Sequence, residues 1–497
     1  MPLAEFFNAS TGTVGGGLSN PSLACFGARL RAGAPLRIAA FGTSVTAGHR
    51  DPRRAERSGS YARFLTRLLR HHVPASNVSV SIYGYPGASV EFMRACINQM
   101  LPIDSDLYVI EVADNYMPRT YSAYRGVGVS LEALLDALHR RHANGLGARI
   151  APAALLVAPF PQSCSKPLAG AQRRHHADLG VGSSTASEDG VRSLDAARRG
   201  CASNLTLPGV LESLGDEHNL PVASMRLAVG AHLLRSPEPR ALLDRFLMRD
   251  LIHPNDEGSR LLASLVVSAL ISRSAGATGA EAACASAPSR STRYSSTPFD
   301  APTGVCAFGD SLRAWVRNTS GFSYTIEYSS LGQPKPGFIA VAPAAAIDIC
   351  YDGSPEVPIN VSLGMRGVRS WWQLGFLRSY QGMGMAVGEC IAGCTCAPRI
   401  WDAHQQRRVS QTDVSKLYVR HHINYTSGSH HHQRAEGSCP CVIRLSVLNR
   451  TSSGGHKFKL VALFNGFGRM YNPNFALCPR EGSGKWENGA CRGEDAG

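Results

Sequence analysis

At 497 residues, and at roughly 150 residues per domain, the chain is long enough for about two to four domains. Apolar residues make up 44% and charged residues 18%, a balance that excludes a wholly disordered chain or a coiled coil. The net charge of +14 admits nucleic acid, an anionic surface or an acidic glycan as partner, and equally a plain solvated surface. No nucleic-acid motif accompanies it.

The longest apolar stretch, Leu261 to Ile271, is far short of the ~20 residues that a membrane-spanning helix needs, so no membrane span is expected. The opening MPLAEFFNAS lacks the basic and apolar regions of a signal peptide.

Residues 1–34 form an N-terminal segment, after which strands and helices alternate over 35–274. Leu36 to Phe41 reads as a strand ending at Gly42. Ser60 opens a helix carried by Tyr61, Phe64, Leu65, Leu68 and Leu69, whose spacing of three and four puts them on one face. Val78 to Tyr83 gives a strand, Val90 to Gln99 a helix, and Asp106 to Val112 a strand. Leu131 to Arg141 follows as a helix, Ala154 to Ala158 and Pro221 to Met225 as strands, and Gly258 to Ser272 as a closing helix. This alternation predicts a doubly wound parallel sheet in three layers. The Gly-, Ser- and Arg-rich stretch from Gln162 to Arg199 reads as a surface excursion or lid.

A linker rich in Ala, Ser, Thr and Pro is expected over 275–302. Over 303–497 short apolar runs alternate with turn residues, among them Phe322 to Tyr328, Gly337 to Ala342, Ala346 to Tyr351, Cys441 to Leu448 and Phe458 to Phe464. They predict a disulfide-rich antiparallel β-sandwich.

Ten of the 14 cysteines lie from Cys284 onward, with close pairs at Cys394/Cys396 and Cys439/Cys441; disulfides formed in an oxidising compartment are favoured over reduced thiols, and over metal, for which the spacing is wrong. Asn-x-Ser/Thr occurs at Asn8, Asn77, Asn204, Asn318, Asn360, Asn424 and Asn449, where chance predicts about two such glycosylation acceptors. Together these favour a lumenal or extracellular glycoprotein whose targeting segment lies outside this chain.

In a parallel sheet, ligands bind beyond the carboxyl ends of the strands. Directly after the first strand comes Gly42-Thr43-Ser44, a serine on a Gly-flanked turn that can be presented as a nucleophile; alone it is no more than a turn serine. Before the last helix stands Asp250-Leu-Ile-His253. An imidazole oriented by a carboxylate is what a serine hydroxyl needs to lose its proton, although a capping Asp beside a surface His has the same spelling. Gly87 after the second strand and Asn115 after the third can donate N–H groups to an oxyanion.

The order Ser44, Gly87, Asn115, then Asp250 with His253 resembles the four blocks of the SGNH (GDSL-type) hydrolase family. The resemblance covers about residues 35 to 272. It implies that Ser44 is the nucleophile, His253 the general base and then acid, Asp250 its orienting partner, and Gly87 and Asn115 oxyanion donors beside the Ser44 N–H. It further implies an esterase with a Ser-His-Asp triad and an acyl-enzyme, needing no cofactor or metal. Thr43 replaces the family's usual Asp, and Ala113 and Tyr116 flank Asn115 where Gly and Asp are common. These departures bear on substrate type more than on catalysis.

The family signature is spelled more literally at Phe308-Gly-Asp-Ser311-Leu312. No apolar strand precedes it and no Asp-x-x-His follows, since Asp402-Ala-His404 has the wrong spacing, so Ser311 reads as structural. His421-His422 and His430 to His432 could bind a metal but read as an exposed loop. Trp371, Trp372 and Tyr380 could stack on sugar, and read as core. The C-terminal run from Leu377 to Cys396 is similar to a sandwich domain appended to SGNH-like proteins of plants and algae.

The expectation is a serine esterase acting on acyl esters, with acetyl favoured and an acylated glycan favoured over a lipid. Two rivals stay open at this stage. One is a carbohydrate O-acyltransferase with the same site, the other a non-catalytic glycan-binding or structural glycoprotein.

Overall fold

The computed structural model describes residues 13–14, 20–48, 59–101, 104–112, 130–138, 152–160, 207–236, 238–274, 284, 306–328, 334–351, 370–406, 410–421, 439–466, 486–487 and 490–491. Asn115, the Gln162 to Arg199 stretch, the linker apart from Cys284, the histidines from His422 to His432, and Asn8, Asn204, Asn360 and Asn424 lie outside them.

In the first region β1 (Thr13–Val14), β2 (Pro35–Gly42), β3 (Asn77–Gly84), β4 (Leu107–Glu111), β5 (Ala153–Ala158) and β6 (Val222–Ser224) form one sheet in the order β1-β6-β5-β4-β2-β3. All neighbours are parallel except β1, which runs antiparallel to β6. β4 and β5 are buried along their whole length, as expected of strands covered on both faces. Alternate residues of β2 serve different layers. Leu36, Ile38 and Ala40 pack with the helices Pro21–Arg31, Ala62–His72, Met225–Arg235 and Asp256–Ser274. Ala39 and Phe41 pack with the helices Val90–Ala95, Ile97–Met100 and Leu207–Glu217 and the helical stretch 130–138. The single helix expected from Val90 to Gln99 is interrupted at Cys96, whose sulfur is bonded to Cys306.

The chain moves from β2 outward to β3 and then returns to the other side of β2 with β4. That reversal makes the carboxyl ends of β2 and β4 the sheet's topological switch point, the place where ligands of doubly wound sheets bind.

The second region is all β. It contains β7 (Cys306–Phe308), β8 (Val316–Ser320), β9 (Ser323–Tyr328), β10 (Pro334–Ala340), β11 (Ala346–Cys350), β12 (Ser370–Arg378), β13 (Met385–Ala392), β14 (Cys394–Thr395), β15 (Arg399–Asp402), β16 (Gln411–His421), β17 (Val442–Val447) and β18 (Phe458–Gly466). One antiparallel sheet has the order β14-β16-β12-β18-β10-β9, with β7 also pairing to β18; the other runs β15-β13-β17-β11-β8. Residues of both sheets share one core around Trp372, Tyr351, Phe458 and Leu445. Trp372 is wholly buried in that core, whereas Tyr380 is exposed.

Disulfides Cys350–Cys439, Cys390–Cys396 and Cys394–Cys441 lie within this region. Two more reach back to the first: Cys25 to Cys284, and Cys96 to Cys306. Apolar residues continue the connection, since Cys306, Ala462 and Phe464 share a core with Val90, Phe92 and Ile97. The ring of Phe92 meets those of Phe308 and Phe464 edge to face at 5.9 Å each. Among the described residues no helix is long and apolar enough to cross a membrane. Asn77, Asn318 and Asn449 are exposed.

Candidate active site

β2 ends at Gly42, and Ser44 begins a one-turn helix, Ser44–Ala47. The turn is held from beneath by a carboxylate. Glu111, the last residue of β4, is fully buried. Its Oε2 accepts the Thr43 N–H at 2.9 Å, the Thr46 N–H at 3.0 Å and the Thr46 hydroxyl at 2.8 Å, while Oε1 lies 3.1 Å from the Thr43 hydroxyl. Two of the backbone donors that a tight turn leaves without a partner are thus satisfied by one side chain. Gly42 makes room for it, because a Cβ there would come within 2.6 Å of Glu111 Oε2. Burial pushes the Glu111 carboxyl up from its ordinary range, against the hydrogen bonds from Thr46 and Thr43 that pull it down. Tyr61, whose hydroxyl lies 3.4 Å from Thr46 Oγ1, is pushed up by its own burial and by Glu111.

Ser44 itself is 6% exposed. Its hydroxyl lies 2.8 Å from His253 Nε2, and His253 Nδ1 lies 2.6 Å from Asp250 Oδ2. The loop that carries this pair is folded tightly. The Met248 N–H donates to the His253 carbonyl at 2.8 Å, the Leu251 N–H to the Met248 carbonyl at 2.9 Å, and Leu251 sits at φ +59°. A buried leucine in the left-handed region is strained, and such strain persists only where the surroundings enforce it. Here it turns Asp250 and His253 to the same side. Asp250 Oδ1 also accepts the N–H groups of Ile252 and His253 at 2.9 and 3.1 Å. Burial alone would raise the Asp250 carboxyl, but the hydrogen bond and charge of His253 and those two N–H groups outweigh it and hold it at about 2.

Gly87 belongs to the turn after β3. The Ala88 N–H donates to the Tyr85 carbonyl at 3.0 Å, and Gly87 has φ +80°. Pro at the second position and Gly at the third suit a type II turn. Ala88 closes the turn and Pro86 has no N–H, so Gly87 carries the turn's one unused donor. The turn abuts the Ser44 loop: the Tyr85 N–H donates to the Gly42 carbonyl at 2.8 Å.

The sequence thus led to Ser44, Asp250 and His253, which form one hydrogen-bonded chain, and to Gly87 in the adjoining turn. It did not lead to Glu111. The available signal was a lone carboxylate closing the apolar run Leu107-Tyr-Val-Ile-Glu111, a residue type almost never buried without partners. Ser311 lies apart from this chain. It is exposed in the 3₁₀ helix Gly309–Trp315, and its hydroxyl bonds to the N–H and carbonyl of Phe308. Two groups of potential metal ligands occur among the described residues. One consists of disulfide cysteines (Cys390, Cys394, Cys441), and the other is Glu132, Glu217 and His218.

No curated protein matches the chain. The fold has counterparts among solved structures. A two-domain esterase (CEX) active on acetylated mannans is similar over 89% of this chain and 93% of its own, with 14% identity and a TM-score of 0.53. The same esterase crystallised with mannopentaose gives 14% identity and 0.51 over 89% and 94%. At that identity the likeness concerns the fold alone, but it extends through both regions. Residues 40–261 match the GDSL-like Lipase/Acylhydrolase family. That match spans the parallel sheet and its carboxyl-edge loops, so the first region is a GDSL-like lipase/acylhydrolase domain and the protein a carboxylic ester hydrolase.

Proposed function

We propose that this protein is a serine esterase that removes acetyl groups from a glycan through a Ser44 acyl-enzyme. The observation that carries the reading is the unbroken chain from Ser44 Oγ through His253 to Asp250, at 2.8 and 2.6 Å. A serine hydroxyl becomes a competent nucleophile when an imidazole within hydrogen-bond reach takes its proton, and the carboxylate keeps that imidazole in the right tautomer.

In the first half-reaction Ser44 Oγ bonds to the ester carbonyl carbon while its proton passes to His253 Nε2. The tetrahedral oxyanion is received by the N–H groups of Ser44 and Gly87 and the amide of Asn115. Collapse breaks the bond to the sugar oxygen, which leaves with the proton from His253. Water then gives its proton to His253, attacks the acetyl-Ser44 carbonyl, and acetate departs as the proton returns to Ser44 Oγ. Asp250, ionised down to about pH 2, stabilises the imidazolium in both halves.

The acetyl group and the glycan are supported by the fold's likeness to the esterase active on acetylated mannans. Exposed acceptor asparagines at Asn77, Asn318 and Asn449 and five disulfides among the described residues support a secretory compartment.

The test uses p-nitrophenyl esters of increasing chain length and an acetylated manno-oligosaccharide. The expected result is fastest turnover of the acetyl ester and release of free acetate from the oligosaccharide. A fluorophosphonate probe should label the wild type and not Ser44→Ala. Absence of labelling would overturn the enzyme reading, preference for long acyl chains the acetyl assignment, and transfer of acetyl to an added sugar the hydrolase assignment.

A further inference from the structure

We infer that the β-sandwich is a working part of the catalytic centre, because its strand β16 holds the Gly87 turn in place, with Thr412 as the positioning residue. The inference rests on the oxyanion role proposed above for Gly87.

The contact is made at the free edge of a sheet. β16 is paired with β12 along its length, and its other neighbour among the described residues, β14, reaches only Arg420 and His421. At the opposite end of β16 the backbone N–H of Thr412 donates to the carbonyl of Gly87 at 2.8 Å. That N–H therefore points away from β12, and the sheet edge finds its partner in the other region of the molecule. Unpaired edge groups seek such partners.

The approach is close. A Cβ on Gly87 would lie 3.0 Å from the Ser410 carbonyl oxygen, so any larger residue would press the turn against the strand. The turn already favours glycine for its φ of +80°, and the close approach of the second region adds to that preference.

The surroundings repeat the arrangement. Val414, two residues along β16, packs into the apolar layer that contains Ala88, Val90 and Phe92. Phe308 sets its ring edge to face against Tyr85 at 6.2 Å. The Gln99 amide donates to the Cys306 carbonyl, and Cys96 is disulfide-bonded to Cys306. The Gly87 turn and both helices that follow it are thus held against the sandwich rather than against their own sheet alone. Fixing the Gly87 carbonyl fixes the orientation of the turn, and with it the one donor the turn has left over. A donor for an oxyanion acts by being in place beforehand, and displacement by about 1 Å can cost roughly 10²-fold in rate.

Thr412→Pro removes this single N–H. Proline is tolerated at an edge position whose N–H faces away from the ladder, so β16 keeps its pairing with β12. In the full chain, kcat for p-nitrophenyl acetate should fall between about 10- and 100-fold, with KM within about twofold and the acid limb of the pH profile unmoved, because Ser44, His253 and Asp250 are untouched. Thr412→Val, which keeps the N–H, should retain wild-type kcat. A folded Thr412→Pro enzyme with kcat within twofold of wild type would overturn the inference.

Amide hydrogen exchange on the wild type tests the contact without any variant. The Thr412 amide should be protected although it lies on a sheet edge, and exchange at the rate of an open edge amide would equally overturn the inference. Failure of the esterase reading itself looks different: the wild type would turn over no ester, while the exchange result would still report whether the turn is held.

Discussion

Two Gly-x-Ser turns in this chain invite comparison. Gly309-Asp310-Ser311 has the letters of the family signature, and Gly42-Thr43-Ser44 departs from them at the middle residue. Yet Ser44 stands at the carboxyl edge of a parallel sheet, nearly buried, with its hydroxyl 2.8 Å from an imidazole. Ser311 stands on an exposed 3₁₀ helix with its hydroxyl engaged by the backbone of Phe308. The lesson is that the signature's letters describe a turn, while the chemistry comes from what the fold brings to that turn. At the Ser44 turn, where Thr43 stands in the signature's Asp position, the buried carboxylate is Glu111 of the neighbouring strand β4, and Thr43 contributes an N–H and a hydroxyl to it.

The sharpest way to break the comparison is to remove each hydroxyl. On the proposed roles of Ser44, His253 and Asp250, Ser44→Ala should lower kcat by at least about 10⁴-fold, since such groups act as a unit, whereas Ser311→Ala should leave it within about twofold. Steady-state hydrolysis of p-nitrophenyl acetate measures both, and a loss at Ser311 of about 10⁴-fold with none at Ser44 would reverse the assignment of the two turns.

Next in size is Asp250→Asn, which leaves the shape of the loop and removes the charge that fixes the imidazole. The expected loss in kcat is about 10⁴-fold. The same variant carries a pH signature. In the folded protein the Asp250 carboxyl is held at about 2, below its ordinary 3.8, so the unfolded chain binds the proton more readily. The stabilisation is therefore complete above about pH 4 and is lost as the pH falls toward 2. Thermal melts should show the wild type losing stability through that window more steeply than Asp250→Asn; parallel curves would contradict the lowered carboxyl.

Much of this was legible in the sequence because strand ends, glycine turns and the Asp-x-x-His spacing are local signals. Five parallel strands and the closing helix fall where apolar runs and helical spacing put them. Glu111 was not legible as a site residue, because its partners Thr43 and Thr46 lie more than sixty residues earlier and meet it only through the pairing of β2 with β4. The break at Cys96 falls at a residue tied to Cys306, 210 residues away, a partner that no local signal reports. The docking of β16 on Gly87 leaves no mark in the letters at all, since both groups belong to the backbone.

Glu111 separates support of the turn from the chemistry above it. Glu111→Ala leaves the N–H groups of Thr43 and Thr46 buried without an acceptor, at about 1–3 kcal/mol each, and should lower stability and kcat together. Glu111→Gln should preserve most of both. A Gln carbonyl at the Oε2 position can accept the same two N–H groups, and its amide then faces the Thr43 hydroxyl, which can accept in turn. The pH effect has the opposite sign to that of Asp250. Because the Glu111 carboxyl is raised above its ordinary 4.5, the folded state binds its proton more tightly. Stability from this group is full below about pH 4.5 and is lost as pH rises toward the folded value. The melting temperature of Glu111→Gln should therefore gain on the wild type as the pH is raised from about 5 to 8. A difference that does not change with pH would mean that the carboxylate is not raised by its burial.

The smallest expected effect belongs to Ser311→Ala, and it bears most directly on what the literal signature is for. The Ser311 hydroxyl accepts the Phe308 N–H at 3.1 Å and donates to the Phe308 carbonyl at 2.8 Å. Its loss from an exposed turn should cost about 1 kcal/mol, visible as a small drop in melting temperature. Phe308 is also the residue whose ring meets Tyr85 and Phe92, beside the Gly87 turn. Loosening it tests whether that aromatic contact or the Thr412 hydrogen bond sets the turn. If the backbone bond governs, Ser311→Ala changes stability and leaves kcat alone. A tenfold fall in kcat at unchanged KM would shift the positioning role from β16 to the ring of Phe308, and the literal signature would then act on the active site through packing while its serine took no part in the reaction.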